Sequence, residues 1–307
     1  MIEYSGDLPD LIDPVMVLAM EGWNDAGEAA SNAIKHLAEV YGSGPVGPGG
    51  VFAALDGEDY YDYQVHRPTM ATVDERRQVI WPTTRFSVVR APGRLLPGDV
   101  MEDEQPRDLV LVHGVEPNMR WRSFCEEILG MARDLGVGQI ITLGAFLADV
   151  PHSRPTPVAG TSADEAYQAL FDVEPPTYEG SIGITGVIQE ACQHAGIPLM
   201  SFWGAVPHYV AHPPSPKVTL ALLRRLEDIL DLDIPAGALA EESRVWETGV
   251  DELAAEDAEV GEYVRTLEEQ KDKVDTAELP EASGEAIARE FERYLRRQDR
   301  RRPDEAP

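Results

Sequence analysis

The stretch VMVLAMEGWNDAGEAASNAIKHL, residues 15–37, decides the fold class. Six apolar residues run straight into Glu21-Gly22-Trp23-Asn24-Asp25, and apolar positions then recur every three or four residues. A short continuous apolar run bounded by turn residues reads as a buried strand, and the periodic segment behind it as an amphipathic helix. Polar residues at such a junction can line a site, or they can simply cap the helix.

The same unit recurs along the chain. Apolar runs PVMVLAM (14–20), GVFAAL (50–55), DLVLVHGV (108–115), QIITLGAFL (139–147) and PLMSFWGAV (198–206) read as strands. Helical patterns follow at 25–40 and 120–136, and another at 183–196 precedes the last strand. Gly136 and Gly196 stand where helices should stop. Strand–helix alternation of this kind predicts an α/β fold, with a largely parallel sheet flanked by helices. RQVIWPTTRFSVVRAPG (77–93) breaks the alternation. It reads as two short strands joined at Trp81-Pro82-Thr83-Thr84 in an antiparallel hairpin, so the sheet is expected to be mixed.

After a proline cluster at 213–216, a helix capped by Ser215 with Pro216 in its first turn is expected, and beyond Pro235 no strand signal remains. Residues 236–282 hold 15 acidic against four basic side chains. Yet Val250, Leu253, Asp257, Val260, Val264, Leu267, Lys271 and Val274 recur at helical steps, the seam of a packed helix. A break at LPEASG (279–284) leads to a last helical stripe, Ile287 to Leu295, and the basic end of the chain reads as frayed. The predicted organisation is an α/β core over 1–235 and an acidic helical extension over 236–307.

Charge and composition remove several function classes. A net charge of −29 opposes binding to nucleic-acid phosphates and to an anionic membrane surface. Only four lysines are present, Lys35, Lys217, Lys271 and Lys273, and no phosphate-binding glycine loop follows a strand. Cys125 and Cys192 sit in amphipathic helical contexts and read as small buried hydrophobes. The N-terminus lacks a basic, apolar leader, and no apolar stretch approaches membrane-spanning length, so a cytoplasmic protein is expected.

Four strand-end loops could carry chemistry, because sheets of this class place ligands at the carboxyl ends of strands. The first holds Glu21, Asn24 and Asp25, with plain helix capping as the simpler reading. The second, GVEPNMRWRSF (114–124), holds Glu116, Asn118 and Arg120, again with turn and cap as the alternative. The third and fourth echo each other: GAFLADVPHSRPTPV (144–158) and GAVPHYVAHPPSPKV (204–218) both reach Val-Pro-His and then prolines. His152, with Arg154 beside it, and His208 would face one cleft if their strands are neighbours. Ordinary hydrogen-bonded loop histidines are the simpler reading. Metal-binding helical spacing is missing, and neither a metal nor a cofactor is expected.

These blocks carry a resemblance. EGWNDAGEAAS, PTTRFSVVRAPG, GVEPNMRWRSFCEEI, GAFLADVPHSRPTPVAGTS and VPHYVAHPPSPKVTLALL together resemble the proteasome assembly chaperone 2 family, in particular its bacterial branch, over most of residues 12–235. The resemblance implies an α/β fold similar to nucleoside phosphorylases and related hydrolases. It implies protein partners, proteasome subunits among them, and self-association, with a trimer as a guess. It carries no catalytic assignment for any residue. Relatives that dock on the proteasome end often carry a terminal hydrophobic–Tyr–any motif; this sequence ends Glu305-Ala306-Pro307, so docking by such a tail is not expected. Two functional readings follow: a protein-binding assembly factor acting as a homo-oligomer, or a small-molecule binder or enzyme of the phosphorylase/hydrolase-like fold. The second requires the polar residues of the four loops to converge on one pocket.

Overall fold

The computed structural model describes residues 2–42, 50–73, 75–92 and 106–277. The break expected at 279–284, the last helical stripe and the frayed end lie outside these residues.

The elements are, in chain order, β1 (Ile2–Tyr4), β2 (Val15–Glu21), α1 (Ala29–Val40), β3 (Val51–Leu55), β4 (Thr69–Val73), β5 (Arg76–Ile80), β6 (Thr84–Ala91), β7 (Arg107–Val115) and α2 (Trp121–Asp134). They continue with β8 (Gln139–Ala148), β9 (Val158–Thr161), α3 (Glu165–Phe171), α4 (Ile184–Ala195), β10 (Leu199–Pro207), α5 (Pro216–Leu230), α6 (Leu239–Glu256) and α7 (Ala258–Ala277). Eight strands form one sheet in the order β1-β3-β6-β7-β2-β8-β10-β9. Its centre, β7-β2-β8-β10, is parallel, and the flanking pairs are antiparallel. The architecture is therefore α/β with a mixed sheet and a parallel core.

The parallel strands are continuously apolar because both of their faces are covered. Along β2, Val15, Val17 and Ala19 enter one core layer with α1 and α5. Met16, Leu18 and Met20 enter the other, with α2 and α4. Residues of β7 divide in the same alternating way, Leu109 and Leu111 to the first layer, Val110 and Val112 to the second. Period-two alternation thus splits one apolar run between two helical layers. Gly196 closes α4 in the left-handed region, at φ +67°, as its position in the sequence predicts.

Residues 77–93 do not form the expected hairpin. β5 pairs backward with β4 in a separate two-stranded ribbon, whereas β6 joins the main sheet between β3 and β7. Pro82 offers no amide for a ladder, and Trp81-Pro82-Thr83 carries the chain from ribbon to sheet. Thr83 fixes that crossing by donating its hydroxyl to the Leu55 carbonyl at 2.6 Å. The seam predicted as one helix from Val250 to Val274 is two helices. Asp257 adopts an extended backbone after α6, and its side chain accepts from the amides of Glu259 and Val260, starting α7.

Candidate functional site

The carboxyl ends of β2, β7, β8 and β10 lie along one edge of the sheet, and the four candidate loops leave from there. Their polar residues fall into three groups, each held by its own partners.

The first group ties the loops after β2 and β7 to α4. Gly22, at φ +108°, turns the chain away from the strand. Asn24 is fully buried. Its amide donates to Glu116 Oε1 at 2.8 Å, and its carbonyl oxygen accepts from the Thr185 hydroxyl at 3.0 Å. The same Glu116 oxygen accepts from the Ile184 amide at 2.7 Å. The backbone carbonyl of Asn24 receives the Ala145 amide, fastening the turn to β8.

Asp25 caps α1 from a distance. One 3-10 turn separates it from the helix, and its carboxylate accepts from the amides of Ala30 and Ser31 and from the Ser31 hydroxyl. Burial raises the Asp25 carboxyl above its ordinary value, and the hydrogen bonds from Ser31 and Ala30 oppose that shift. Glu21 lies 3.2 Å from His113 Nε2 and 3.6 Å from Lys35 Nζ. The His113 ring is the main influence holding the Glu21 carboxyl below the usual range, with burial opposing it and Lys35 adding to it.

The second group anchors the segment that leads to the ribbon. The Asn118 side-chain oxygen accepts from the Asp62 backbone amide at 3.0 Å, while the Asn118 backbone amide donates to the Tyr60 carbonyl at 2.9 Å. Arg120, at φ +55°, pairs with Asp59. Tyr61 donates to the Val115 carbonyl, and burial pushes its phenol up to about 12.

The third group unites the two Val-Pro-His histidines. β8 and β10 are adjacent and parallel, so the loops behind them meet. His152 is buried; its Nδ1 lies 2.8 Å from the Tyr209 hydroxyl and its Nε2 3.1 Å from Asp251 of α6. Lys217 of α5 donates to the His152 carbonyl and pairs with Glu247 at 2.6 Å. Arg154 grips Asp272 of α7 through two hydrogen bonds of 2.8 and 2.9 Å, with Glu268 at 3.3 Å. His208 meets Asp149 at 3.1 Å, and Tyr263 donates to the same carboxylate at 3.0 Å. This group clamps α6 and α7 onto the loop after β8.

The candidate residues are thus brought to one edge but not into one pocket: Asn24 and Glu116 bond to each other, and the rest are taken up by separate partners. Among the described residues no cluster of His, Cys, Asp and Glu is arranged to hold a metal ion. Cys125 and Cys192 are buried, and burial pushes both thiols up to about 12, well away from nucleophilic form. A cleft of about 440 Å³ lies elsewhere, between α1 and the α5–α6 connection, where Lys35, His36 and Glu242 line it. Outward, the edge presents large apolar side chains among its charged ones. Trp23 is 78% exposed, and Met119, Phe146, Leu147, Tyr178 and Ile182 are exposed beside the bonds just described. Sequence reading misses Thr185, Tyr209, Lys217 and Asp251. Tyr209 was signalled by its place directly after His208, whereas Thr185 and Asp251 stand on helix faces with nothing local to mark them.

The fold and this edge define a class: a mixed α/β protein whose strand-end loops are locked by side-chain bonds beneath exposed apolar side chains. The family model of the PAC2 family matches residues 19–254. The chain belongs to the PAC2 family. A PAC2 family protein of Streptomyces avermitilis is 55% identical, with 82% of this chain and 100% of that one covered and a TM-score of 0.73. A proteasome-assembly chaperone homologue of Mycobacterium tuberculosis is 47% identical, with 81% and 99% covered and a TM-score of 0.68. An archaeal proteasome activator from Pyrococcus furiosus, at 19% identity, covers 82% of this chain and 98% of its own, with a TM-score of 0.61, and shows likeness of fold alone. The curated proteins include no match to this sequence. No described helix is long and apolar enough to cross a membrane.

Proposed function

We propose that this protein is a cytoplasmic protein-binding assembly factor that works as a homo-oligomer and has proteasome components as its partners. The supporting observation is the strand-end edge. In an enzyme of this architecture, polar groups at that edge stay available to a substrate. Here Asn24, Asp25, Glu116, Asn118, Arg120, His152, Arg154 and His208 all have protein partners. They stiffen the loops that hold Trp23 and its apolar neighbours outward. An exposed tryptophan on a rigid turn is the kind of residue that dominates protein–protein contacts. The relative named as a proteasome-assembly chaperone homologue supports this partner class. In this reading residues 1–235 form the binding core and 236–307 an acidic extension, of which α6 and α7 are clamped onto the core.

The test is affinity purification of the tagged full chain from its native cell, with wild type and Trp23→Ser compared by mass spectrometry. Capture of proteasome subunits by wild type, lost in Trp23→Ser at unchanged Tm, is the expected result. Recovery of no proteasome subunit with wild type overturns the partner assignment, and equal recovery with the variant overturns the surface.

A further inference from the structure

α7 is held differently from the helices that build the core. α5 buries side chains along its whole length, from Pro216 to Leu230, whereas α7, with 20 residues, buries only Val264 and Leu267 among its described side chains. Beyond its contact with α6, its ties run to the loop after β8 and are polar. Arg154 reaches Asp272 and Glu268, Ser153 donates to Glu268, and Tyr263 donates to Asp149. The Tyr263 ring also stands edge-on to His208 and Tyr209. Asp272 and Asp149 stand in solvent, where ion pairs contribute little. A helix with few buried apolar contacts opens before the core does. Asp257, extended after α6, is a one-residue joint on which α7 can swing away.

What α7 covers continues the exposed edge. The Asn24 carbonyl holds the Ala145 amide, so the Trp23 turn lies beside the end of β8. Phe146 and Leu147 come next, both exposed, and the covered loop starts two residues later with Asp149. The donors of that loop are Ser153 and Arg154, with the rings of His208 and Tyr209 at its side. A guanidinium takes a carboxylate through two parallel bonds, and side chains four apart on a helix share one face. The covered surface therefore suits a helix that carries two carboxylates one turn apart beside apolar residues. α7 offers that pattern: Val264, Glu268 and Asp272 follow at four-residue steps, with Leu267 alongside.

We propose that α7 is a displaceable cover. It occupies, within its own chain, a docking surface for an acidic amphipathic helix, and a partner helix of the same chemistry binds by taking its place. With α7 lifted, one continuous surface runs from Trp23 through Phe146 and Leu147 to Arg154. The inference rests on the protein-binding reading of the strand-end edge, but not on which protein binds there.

The experiment uses the full chain and, as probe, a fluorescein-labelled peptide of residues 258–277 read by anisotropy. Glu268→Ala with Asp272→Ala removes the clamp from the cover and leaves the covered surface intact. Hydrogen exchange across Ala258–Ala277 should quicken in this variant. The peptide should bind it at least about tenfold more tightly than wild type, because apparent affinity falls with the fraction of chains whose site is open. Adding Arg154→Ala should abolish that binding at unchanged Tm. Exchange that stays at the wild-type rate in the clamp variant overturns the inference. So does a peptide that binds wild type equally well, binds neither protein, or binds the clamp variant with and without Arg154. The peptide assay contains no proteasome component, so its failure leaves the capture experiment with Trp23→Ser unaltered, and failure of that capture leaves the peptide result standing.

Discussion

Asn24 is where the question posed by the first strand–helix junction is answered. Its side chain uses both ends at once, on Glu116 and on Thr185, and so welds three segments that are remote in sequence. Asn24→Ala leaves Glu116 short of a donor and the Thr185 hydroxyl unpaired in a buried place. A loss of about 1–3 kcal/mol is expected from urea denaturation, whereas Trp23→Ser next to it should change stability by less than about 0.5 kcal/mol. Gly183→Ala should act like the Asn24 variant, because a Cβ there collides with the Asn24 amide. Asp25 proves to be a cap, and its titration has a defined sign. Its carboxyl is raised in the folded protein, so the stability it contributes is complete below the ordinary aspartate value and fades as pH rises through the raised one. Asp25→Asn has no such loss. Its Tm relative to wild type should therefore climb between acid and neutral pH. Glu21 behaves oppositely: with its carboxyl lowered, Glu21→Gln should cost stability at neutral pH and nothing below the Glu21 range. The sequence makes Asn24 and Asp25 conspicuous, but both have the composition of a cap and of a site. What separates the roles is Thr185, 161 residues away, which no local pattern announces.

At the scale of elements, what was legible tracks burial. The five apolar runs are strands because the core takes up both of their faces, and the amphipathic segments between them are helices. β4 escaped notice because neither of its faces is buried, so Thr69–Val73 shows no alternation to read; β5 was legible as a strand, but with no buried face to fix its register it was given β6 as partner instead of β4. β9 hides in a proline-rich stretch and is fixed by β10 alone among its neighbours in the sheet. The long acidic seam misled for a different reason. Its periodicity persists through Asp257, yet the aspartate side chain competes for the amides of Glu259 and Val260 and restarts the helix. Asp257→Ala should cost about 1 kcal/mol of helix capping and raise amide exchange in the first turn of α7. The clamp on α7 can be released separately. Arg154→Ala removes the contacts with Asp272 and Glu268, so hydrogen exchange should quicken across Ala258–Ala277 and stay unchanged in β2.

For the whole molecule, charge distribution carries more information than net charge. The value of −29 opposes phosphate and anionic-membrane partners on electrostatic grounds, but it hides how the cations are spent. Lys217 and Arg154 hold the acidic helices to the core, whereas Arg76 and Arg77 on the ribbon are exposed with no ion-pair partner among the described residues. Sequence blocks were enough for the family, since they lie in the loops that build the locked edge. The sheet order was not readable, because adjacency of β8 and β10 depends on crossovers rather than on any residue. The exposure of Trp23 has an optical consequence. Of the five tryptophans, Trp23 stands 78% in solvent and Trp81 50%. Their emission should be red-shifted and open to a soluble quencher such as iodide. A partner settling on the strand ends would shield the first fluorophore and leave the second, on the ribbon side, as an internal reference. Single-tryptophan variants would thus report, without any attached dye, whether that edge is covered as partner is added.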